Sequence, residues 1–237
     1  MSIAENIAAV RARMEAAAKA AGRDPKEILL CGASKMNDAA ACREAIAAGI
    51  DCLGENRAQE MLQKYGEAAY TGAPLHFIGV LQKNKVRQIV GKVDLIQSVD
   101  SLGLLQEIDR RAESMGLLQD VLLEVHVGGE ESKSGFLPEE IPGAVREILA
   151  QKERHVRLCG LMSIPPAAAE KGQNLPYFQQ LHQLFVDITP LLLHNSDRLY
   201  LSMGMSGDFE DAIAAGSTMV RVGTAIFGAR PYPLTQP

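Results

Sequence analysis

The chain has 237 residues, of which 47% are hydrophobic and 22% are charged, and its formal net charge is −5. This composition is ordinary for a folded globular protein, and the acidic balance argues against nucleic-acid binding, which needs a basic surface stripe. No apolar run approaches the roughly 18 residues needed to span a bilayer, and the amino-terminal segment lacks the apolar core of a secretory signal. We therefore expect a cytoplasmic protein without membrane attachment, folded as one large barrel or two small domains.

The first predicted element is a helix. Ser2 and Glu5 have the spacing of a capping box, in which each side chain bonds to the other residue's backbone N–H. Apolar residues recur at helical spacing as far as Met14, and Gly22 ends the helix. The following run, 28–33, is apolar without alternation, which predicts a strand buried on both faces, as in a parallel sheet.

Helices and strands then alternate to the end of the chain. Asp38 is placed to cap the second helix and Gly49 to close it, and Pro138 suits the first turn of a later helix. Pro190 is expected to kink or end the helix in which it lies. The remaining predicted strands are 51–53, 75–78, 93–99, 121–127, 156–162, 199–202 and 219–222. The remaining predicted helices are 57–65, 86–90, 102–115, 178–193 and 208–215.

Eight strand and helix units in 237 residues predict the α/β class and a single closed (β/α)8 barrel. The extra amino-terminal helix would cover one mouth or the side of this barrel. An open doubly wound sheet is the alternative, but no G-x-G-x-x-G follows the first strand to support it. No linker interrupts the chain, so residues 1–237 are expected to form one domain.

The four cysteines are Cys31, Cys42, Cys52 and Cys159, and they stand far apart in the sequence. None belongs to a C-x-x-C pair, whereas zinc sites usually need closely spaced soft ligands. Cys31 lies in an apolar run and Cys42 in a helical pattern, which is typical of small buried residues. The spacing therefore predicts reduced, buried thiols and no metal site.

Lys35 is the first candidate for chemistry, because it directly follows a fully apolar strand. In a (β/α)8 barrel the active site lies at the carboxyl-terminal ends of the strands. Burial there would disfavour the ammonium form and lower the lysine pKa, which makes a nucleophilic amine available for a Schiff base. A solvated lysine at a strand end is the alternative interpretation.

Two loops at the other end of the chain favour the functional interpretation of Lys35. Ser206 precedes a predicted helix, and Gly223 and Thr224 follow the eighth strand, where barrels of this kind commonly bind phosphate. Strands 8 and 1 are neighbours in a closed barrel, so the lysine and these loops should lie close together. A phosphorylated aldehyde would be held at both ends, and pyridoxal 5'-phosphate (PLP) is the ligand that fits this description.

Eight short motifs support this interpretation, in order along nearly the whole chain. They are ASK at 33–35, GENR at 54–57, HFIG at 76–79, LQKNK at 81–85, ESKSG at 131–135, GLMSIP at 160–165, LSMGMS at 201–206 and GSTMVRVGTAIFG at 216–228. With these motifs the chain resembles the pyridoxal phosphate homeostasis proteins, which are similar to the amino-terminal barrel of alanine racemase.

The resemblance implies a role for each candidate residue. Lys35 would carry PLP covalently as a reversible Schiff base, and Ser206, Gly223 and Thr224 would hold the phosphate. Arg221 would face the pyridine nitrogen and, because arginine keeps its charge, would disfavour protonation of that nitrogen. Asn56 would line the cofactor near its ring substituents, although it could equally be a helix N-cap.

The function implied by the resemblance is non-catalytic. The protein would sequester PLP and contribute to vitamin B6 and amino-acid homeostasis, with PLP-dependent apo-enzymes as recipients. The sequence shows no evident dimerisation domain, which predicts a monomer. The alternative from the same resemblance is an amino-acid racemase. That reaction needs a second acid or base opposite Lys35, which racemases take from a further domain, and the chain length leaves no room for one. A phosphosugar-type barrel enzyme, without a lysine adduct, is a third possibility.

Two further residues carry weaker hypotheses. Strand alternation puts Glu124 and His126 on one face of the predicted strand 121–127, and His126 stands where the family usually has asparagine. If that face is the barrel interior, His126 approaches the cofactor; otherwise it is a hydrogen-bonded structural histidine. Lys133 is a second amine near the barrel mouth, and a solvated loop lysine is its alternative interpretation.

Overall fold

The computed structural model describes residues 1–128, 134–151, 154–166, 170, 172–193, 196 and 198–228. Strands and helices alternate along the chain. The strands are β1 (Leu29–Ala33), β2 (Cys52–Glu55), β3 (Leu75–Phe77), β4 (Leu95–Val99), β5 (Gln119–Glu124), β6 (Val156–Met162), β7 (Tyr200–Ser202) and β8 (Met219–Val222). The helices are α1 (Ile3–Ala20), α2 (Ala39–Ala47), α3 (Ala58–Gly66), α4 (Val86–Ile89), α5 (Leu102–Ser114), α6 (Ile141–Ala150), α7 (Leu175–Leu192), α8 (Phe209–Ala214) and α9 (Thr224–Phe227).

The strands form a closed barrel in the order β1 to β8, and every neighbouring pair is parallel. The barrel closes where β1 pairs with β8, with Cys31 opposite Arg221. The (β/α)8 prediction is confirmed, and the open-sheet alternative is wrong. Because all strands run the same way, all their carboxyl ends meet at one end of the barrel, here called the carboxyl mouth. The opposite end is the amino mouth.

The protein has two apolar layers. The larger one lies between the strands and the helices, and its fully buried members include Phe77, Phe178 and Phe209. The smaller one forms a separate cluster, whose buried members are Cys31, Cys52, Leu95, Leu122, Cys159, Met162 and Met219. These residues come from six strands and share the face opposite to the helix-packed residues, so they fill the barrel interior. Thiols and thioethers thus replace much of the branched aliphatic filling usual in such barrels.

The amino-terminal helix covers the side of the barrel. Its capping box is present as predicted, and Ile7, Val10 and Met14 are buried against the rest of the protein. It packs against α8, α9 and α2. Asn6 Nδ2 donates to the Ile226 carbonyl at 2.8 Å, and the Arg13 guanidinium lies 4.5 Å from the centre of the Phe209 ring. This helix therefore stabilises the elements that carry the loops after β7 and β8.

Some predicted boundaries differ from the structure. The Asp51 side chain accepts a hydrogen bond from the Leu30 N–H at 2.7 Å, so β2 begins one residue later than predicted and runs on to Glu55. β5 ends at Glu124, because the next residue pairs with Phe136 in an isolated bridge. Pro190 lies within the last turn of α7, which ends at Leu192. In the described residues we find no helix with both the length and the apolar character needed to cross a membrane.

Candidate functional site

Lys35 lies at the carboxyl mouth, two residues after β1, and is half-buried. The residue before it, Ser34, is buried, and its backbone N–H donates to the Gly54 carbonyl at 3.0 Å. The Ser34 hydroxyl also donates to Glu55 Oε1 at 2.6 Å. The chain therefore leaves β1 tied to β2, which fixes where the Lys35 backbone enters the mouth. The pKa of Lys35 stays a prediction.

A buried ion cluster holds the backbone on both sides of Lys35. Lys64, on α3, pairs with Glu55 and Glu60, and its ammonium also donates to the Ser34 carbonyl at 3.0 Å. Glu60 in turn accepts from the backbone N–H of Met36. Met36 has a φ of +64°, a left-handed conformation that costs a non-glycine residue about 1 kcal/mol. The Glu60 contact helps to hold this conformation.

The charges in this cluster support one another. Burial raises the pKa of Glu55, while the Lys64 ammonium and the Ser34 hydroxyl lower it. Burial lowers the pKa of Lys64, but the two neighbouring carboxylates outweigh it and the net pKa is raised. Tyr70 also donates to Glu55, at 3.0 Å. The cluster was missed by sequence analysis, because its members lie in different elements and nothing in their spacing reveals the contacts.

The loops after β7 and β8 meet beside the end of β1. The backbone N–H groups of Gly223 and Ala225 point at the Ser206 hydroxyl oxygen, at 3.3 and 3.5 Å. Thr224, between them, begins α9 and is exposed. A Cβ added to Gly223 would lie 3.5 Å from the Ala33 carbonyl, so this loop packs against the strand that leads to Lys35. The structure thus brings together backbone donors and hydroxyls, which suit an anion such as phosphate.

Arg221 lies in the interior below this mouth and is 3% exposed. Its guanidinium donates to the Ser202 hydroxyl at 2.6 Å and to the Ser163 carbonyl at 2.8 Å. Burial lowers the pKa of Arg221, whereas the nearby Cys31 and Glu124 raise it. These two acceptors hold the planar group in one orientation.

Glu124, at the end of β5, is a second charged group in the interior. Burial, followed by the charge of Asp100, raises the pKa of Glu124 to about 7, while Arg221 opposes the shift. Its Oε2 atom is buried without a hydrogen-bond partner. Strand alternation in the sequence predicts that Glu124 lies on a polar face of the strand, but it predicts no role for the carboxyl group. A carboxyl group that titrates near neutrality at a barrel mouth is a candidate functional group.

Asn56 lies in the loop between β2 and α3. It is not a helix N-cap: that position is Arg57, and α3 has no side-chain cap, so the capping alternative is wrong. Asn56 Oδ1 is instead buried without a hydrogen-bond partner. Asn56 also lines a cavity of about 560 Å³ beside the ends of β2 and β3. Neither Lys35 nor Arg221 lines that cavity, so it adjoins the candidate site on the Asn56 side.

Gly79 fixes the backbone of Asn56 in place. A Cβ at position 79 would lie 2.3 Å from the Asn56 carbonyl oxygen and 2.6 Å from its Cα. Real Cβ atoms do not approach backbone so closely, so only glycine allows the β3 loop to pack here. This contact explains the glycine of the HFIG motif as a packing requirement of the site.

The hypothesis for His126 stays open, and that for Lys133 lies outside the described residues. The His126 N–H donates to the Phe136 carbonyl at 2.9 Å, and its ring Nε2 is buried without a partner. Leu122, two residues before Glu124, belongs to the interior cluster, so the face of β5 that carries Glu124 is the barrel interior. β5 ends before His126, so alternation no longer fixes the direction of its side chain.

The site can hold an anionic, ring-shaped ligand with a terminal phosphate. The Gly223 and Ala225 N–H groups are of the kind that can donate to a phosphate, and Arg221 adds a buried positive charge. Asn56 Oδ1 and Glu124 Oε2 are buried without a hydrogen-bond partner among the described residues, so each can accept a hydrogen bond from a ligand. With the Lys35 amine, the donors and charges therefore fit PLP, which supplies an aldehyde that a lysine amine can bind covalently.

Comparison with known proteins first defines the class. The family described as "Alanine racemase, N-terminal domain" matches residues 2–231. An alanine racemase structure from Clostridium difficile has a TM-score of 0.68 at 18% identity, over 98% of this chain and 58% of the racemase. At that identity the likeness concerns the fold alone. The protein is thus a barrel of the alanine racemase type.

Closer relatives define the family within this class. The pyridoxal phosphate homeostasis protein of Pseudomonas aeruginosa is 45% identical over 231 residues, covering 98% of this chain and 97% of the relative. The protein of the same name from Escherichia coli is 41% identical, covering 97% of each chain. The chain belongs to the family of pyridoxal phosphate homeostasis proteins.

A solved structure agrees with this assignment. PipY of Synechococcus elongatus, determined with PLP bound, has a TM-score of 0.80 at 33% identity. The comparison covers 96% of this chain and 100% of PipY. A relative of the same fold and length therefore binds PLP.

Proposed function

We propose that this protein binds PLP at the carboxyl mouth, holds it as a reversible Schiff base on Lys35, and contributes to PLP and amino-acid homeostasis. The observation that carries the proposal is that the Gly223 and Ala225 N–H groups both point at the Ser206 hydroxyl. Gly223 packs against Ala33, which lies two residues before Lys35. The phosphate and the aldehyde of PLP need these two kinds of group at the two ends of one short site. The PLP-bound structure of PipY supports the same ligand.

Each proposed binding residue has its own part. Ser206, Gly223 and Thr224 bind the phosphate through hydroxyl and backbone donors. Arg221, oriented by Ser202 and the Ser163 carbonyl, faces the pyridine nitrogen. Because a guanidinium keeps its charge, it disfavours a proton on that nitrogen, and the ring then withdraws electrons less strongly.

Asn56 completes the proposed site from the β2 side. Its buried Oδ1 has no partner among the residues that the structure describes, and such an atom normally receives a hydrogen bond. Among the ring substituents of PLP, a hydroxyl can donate one. The Glu55–Lys64–Glu60 cluster acts indirectly, because it positions the backbone from which the Lys35 side chain extends.

We propose that the protein is non-catalytic. The support comes from the relatives, which have nearly the same length and are named as homeostasis proteins rather than as racemases. Tyr70 donates to Glu55 and Tyr200 lines a cavity at the amino mouth, so neither of these two tyrosines is placed to act as an acid or base opposite Lys35. Racemisation of alanine by the purified protein would contradict this part of the proposal.

The proposal extends to the state of the protein in the cell. We infer a single barrel domain, acting as a monomer in the cytoplasm, which passes PLP to apo-enzymes. Light scattering after size-exclusion chromatography should give the mass of one chain. Transfer is measured by mixing the PLP-loaded protein with an apo-aminotransferase and following the recovery of its activity.

The test of PLP binding is an absorption titration. Adding PLP to the wild type should produce the visible band of a lysine adduct, and Lys35→Ala should abolish it. Lys26→Ala is the matched control, because Lys26 is an exposed lysine that precedes β1. A wild type that shows no adduct band, or a Lys35→Ala variant that keeps it, would overturn the proposal.

A further inference from the structure

Three metal-ligating side chains meet inside the barrel, and two of them line a cavity at its amino mouth. Cys31, Cys52 and His76 come from β1, β2 and β3 and are 0, 2 and 6% exposed. Cys31 and Cys52 are direct partners across the two strands. Each of the three residues offers one ligand atom, and these atoms all lie within 4.8 Å of one another. Their spacing along the chain hid this group, since each residue comes from a different strand.

The geometry is close to that of a tetrahedral zinc site. Zn–S bonds of about 2.3 Å and Zn–N bonds of about 2.0 Å place neighbouring ligand atoms roughly 3.5–3.8 Å apart. The three atoms lie within 4.8 Å of one another, so binding an ion would require them to approach only slightly further. The backbone register between β1 and β2 already sets the two thiols side by side.

The chemistry of the three ligands selects a thiophilic cation. Two cysteine sulfurs and one imidazole nitrogen favour Zn²⁺, whereas Mg²⁺ and Ca²⁺ prefer oxygen ligands. Two thiolates also neutralise the double charge of Zn²⁺, so the buried complex carries no net charge. Burying an unbalanced charge in this apolar interior would be costly.

The His76 ring has a side-chain amide as its hydrogen-bond partner. Gln97 Nε2 contacts His76 Nδ1 at 2.9 Å, and Gln97 Oε1 accepts from the Ser202 hydroxyl at 2.6 Å. When a metal occupies Nε2 of a neutral imidazole, Nδ1 carries the proton and needs an acceptor. Metal binding at Nε2 therefore requires the Gln97 amide to turn so that its oxygen faces Nδ1, and the Ser202 hydroxyl then needs another acceptor.

The group is accessible from the amino mouth. Cys52 and His76 line a cavity of about 800 Å³ there, while Cys31 lies behind them. The cavity lining includes four acidic residues, Glu27, Asp51, Asp94 and Asp120, and two arginines, Arg157 and Arg198. The acidic excess favours entry of a cation, and the cavity gives room for a fourth ligand such as water.

We propose that Cys31, Cys52 and His76 bind one Zn²⁺ ion at the amino mouth of the barrel, with the fourth ligand supplied from the cavity. The site is separate from the PLP site, and it would exist whether or not PLP binds. Cys159 belongs to the same interior cluster, but its sulfur contacts Ser196 at 3.6 Å, so it serves as the matched control.

The test uses Co²⁺ as a spectroscopic probe and Zn²⁺ as its competitor. The full-length protein is freed of PLP and metal, kept reduced without a thiol reagent, and titrated with Co²⁺. We expect a thiolate-to-cobalt charge-transfer band that saturates at one ion per chain and disappears when Zn²⁺ is added. Cys31→Ser, Cys52→Ser and His76→Gln should each lower the Co²⁺ affinity at least about tenfold, whereas Cys159→Ser should not.

A second measurement does not depend on the variants folding. In the wild type, Zn²⁺ should slow alkylation of Cys31 and Cys52, read by mass spectrometry, and leave Cys42 and Cys159 unchanged. The proposal is overturned if the folded, fully reduced wild type gives no charge-transfer band. It is equally overturned if Zn²⁺ changes the alkylation of all four cysteines alike, or if Cys159→Ser weakens binding as much as Cys31→Ser does.

Discussion

Glu124 is the residue whose ionisation should matter most for the PLP-free protein near neutral pH. It is 8% exposed, its Oε2 lacks a partner, and its pKa is raised to about 7, chiefly by burial. The protonated form is therefore favoured in the folded protein relative to the unfolded chain. Such a group contributes stability below its unfolded pKa, and the contribution is lost as the pH rises through its folded pKa.

The first prediction concerns this pH dependence. Between about pH 5 and about pH 8, the free energy of unfolding of the wild type should fall relative to Glu124→Gln by roughly 2–3 kcal/mol. The measurement is urea unfolding of the PLP-free proteins across that pH range. Glu113→Gln, on the exposed face of α5, is the control and should follow the wild type. Parallel curves for wild type and Glu124→Gln would show that the carboxyl group does not titrate as described.

The second prediction concerns Asn56. Because its Oδ1 has no partner within the described part of the chain, Asn56→Ala should cost little stability but weaken PLP binding by about fivefold, the value of one hydrogen bond. Titration calorimetry or absorption gives the dissociation constant. Asn84→Ala, in an exposed position, should leave that constant unchanged. Equal affinities for wild type and Asn56→Ala would remove Asn56 from the proposed site.

At the scale of single residues, the sequence identified residues that belong to a motif or lie at the end of a predicted strand. The placement of Lys35, Ser206 and Gly223 at one end of the barrel could be predicted from the order of its strands, and their binding of PLP stays a prediction. Lys64 and the Cys31–Cys52–His76 group could not, because their roles depend on contacts between segments that no local pattern relates. Asn56 lies between these two cases. The sequence predicted its position at the end of the second strand, but only the structure excludes the N-cap interpretation.

At the scale of elements, α3 controls the loop that carries Lys35. Lys64 reaches from the helix to the Ser34 carbonyl, and Glu60 binds the Met36 N–H. One helical turn therefore holds both neighbours of Lys35. The lysine amine can be placed reproducibly although its own loop contains a strained residue and has no regular secondary structure.

The third prediction tests this clamp. Lys64→Met would leave the Glu55 carboxylate buried without its main partner, so we expect a loss of about 3–5 kcal/mol in the free energy of unfolding. The variant should also bind PLP more weakly, because the Lys35 loop loses its anchor. Chemical denaturation and a PLP titration provide the two measurements.

The control for the clamp is an exposed ion pair. Lys19 pairs with Glu15 on α1, and both side chains are more than half exposed. Lys19→Met should therefore leave stability and PLP binding nearly unchanged. If Lys64→Met proved as mild as Lys19→Met, the buried cluster would not be holding the loop.

Elements with a strong local pattern were the most predictable. The apolar runs of β6 and β8 gave both boundaries correctly, because each lies between clear polar or glycine signals. The prediction for β5 was too long. The prediction extended the strand to Val127, but Val125 already pairs with Phe136 in an isolated bridge. The spacing of apolar residues alone does not predict where a strand stops forming hydrogen bonds with its neighbours in the sheet.

At the scale of the whole molecule, the closed barrel separates two chemical environments. The carboxyl mouth carries an amine, hydroxyls and backbone donors, whereas the amino mouth carries thiols, an imidazole and carboxylates. A hydrogen-bond chain runs between them through the interior: Arg221 donates to Ser202, Ser202 to Gln97, and Gln97 contacts His76. The two ends are therefore distinct but physically connected.

The fourth prediction follows from this separation and rests on the proposals for both mouths. PLP-loaded protein should still bind Co²⁺ through thiolates, and metal-loaded protein should still form the PLP adduct. The connecting chain should change the affinities by less than about 100-fold, within the usual range of coupling between sites. Sequential titrations read both absorption bands in one sample. Mutually exclusive binding would contradict two separate sites.

The central claim is that Lys35 holds PLP, and the most direct test identifies the modified lysine. The wild type is loaded with PLP, the adduct is made permanent with borohydride, and the digested protein is analysed by mass spectrometry. We predict one pyridoxyl group per chain, on the peptide that contains Lys35. Labelling of another lysine, such as Lys64 or Lys133, with Lys35 unmodified, would contradict the account.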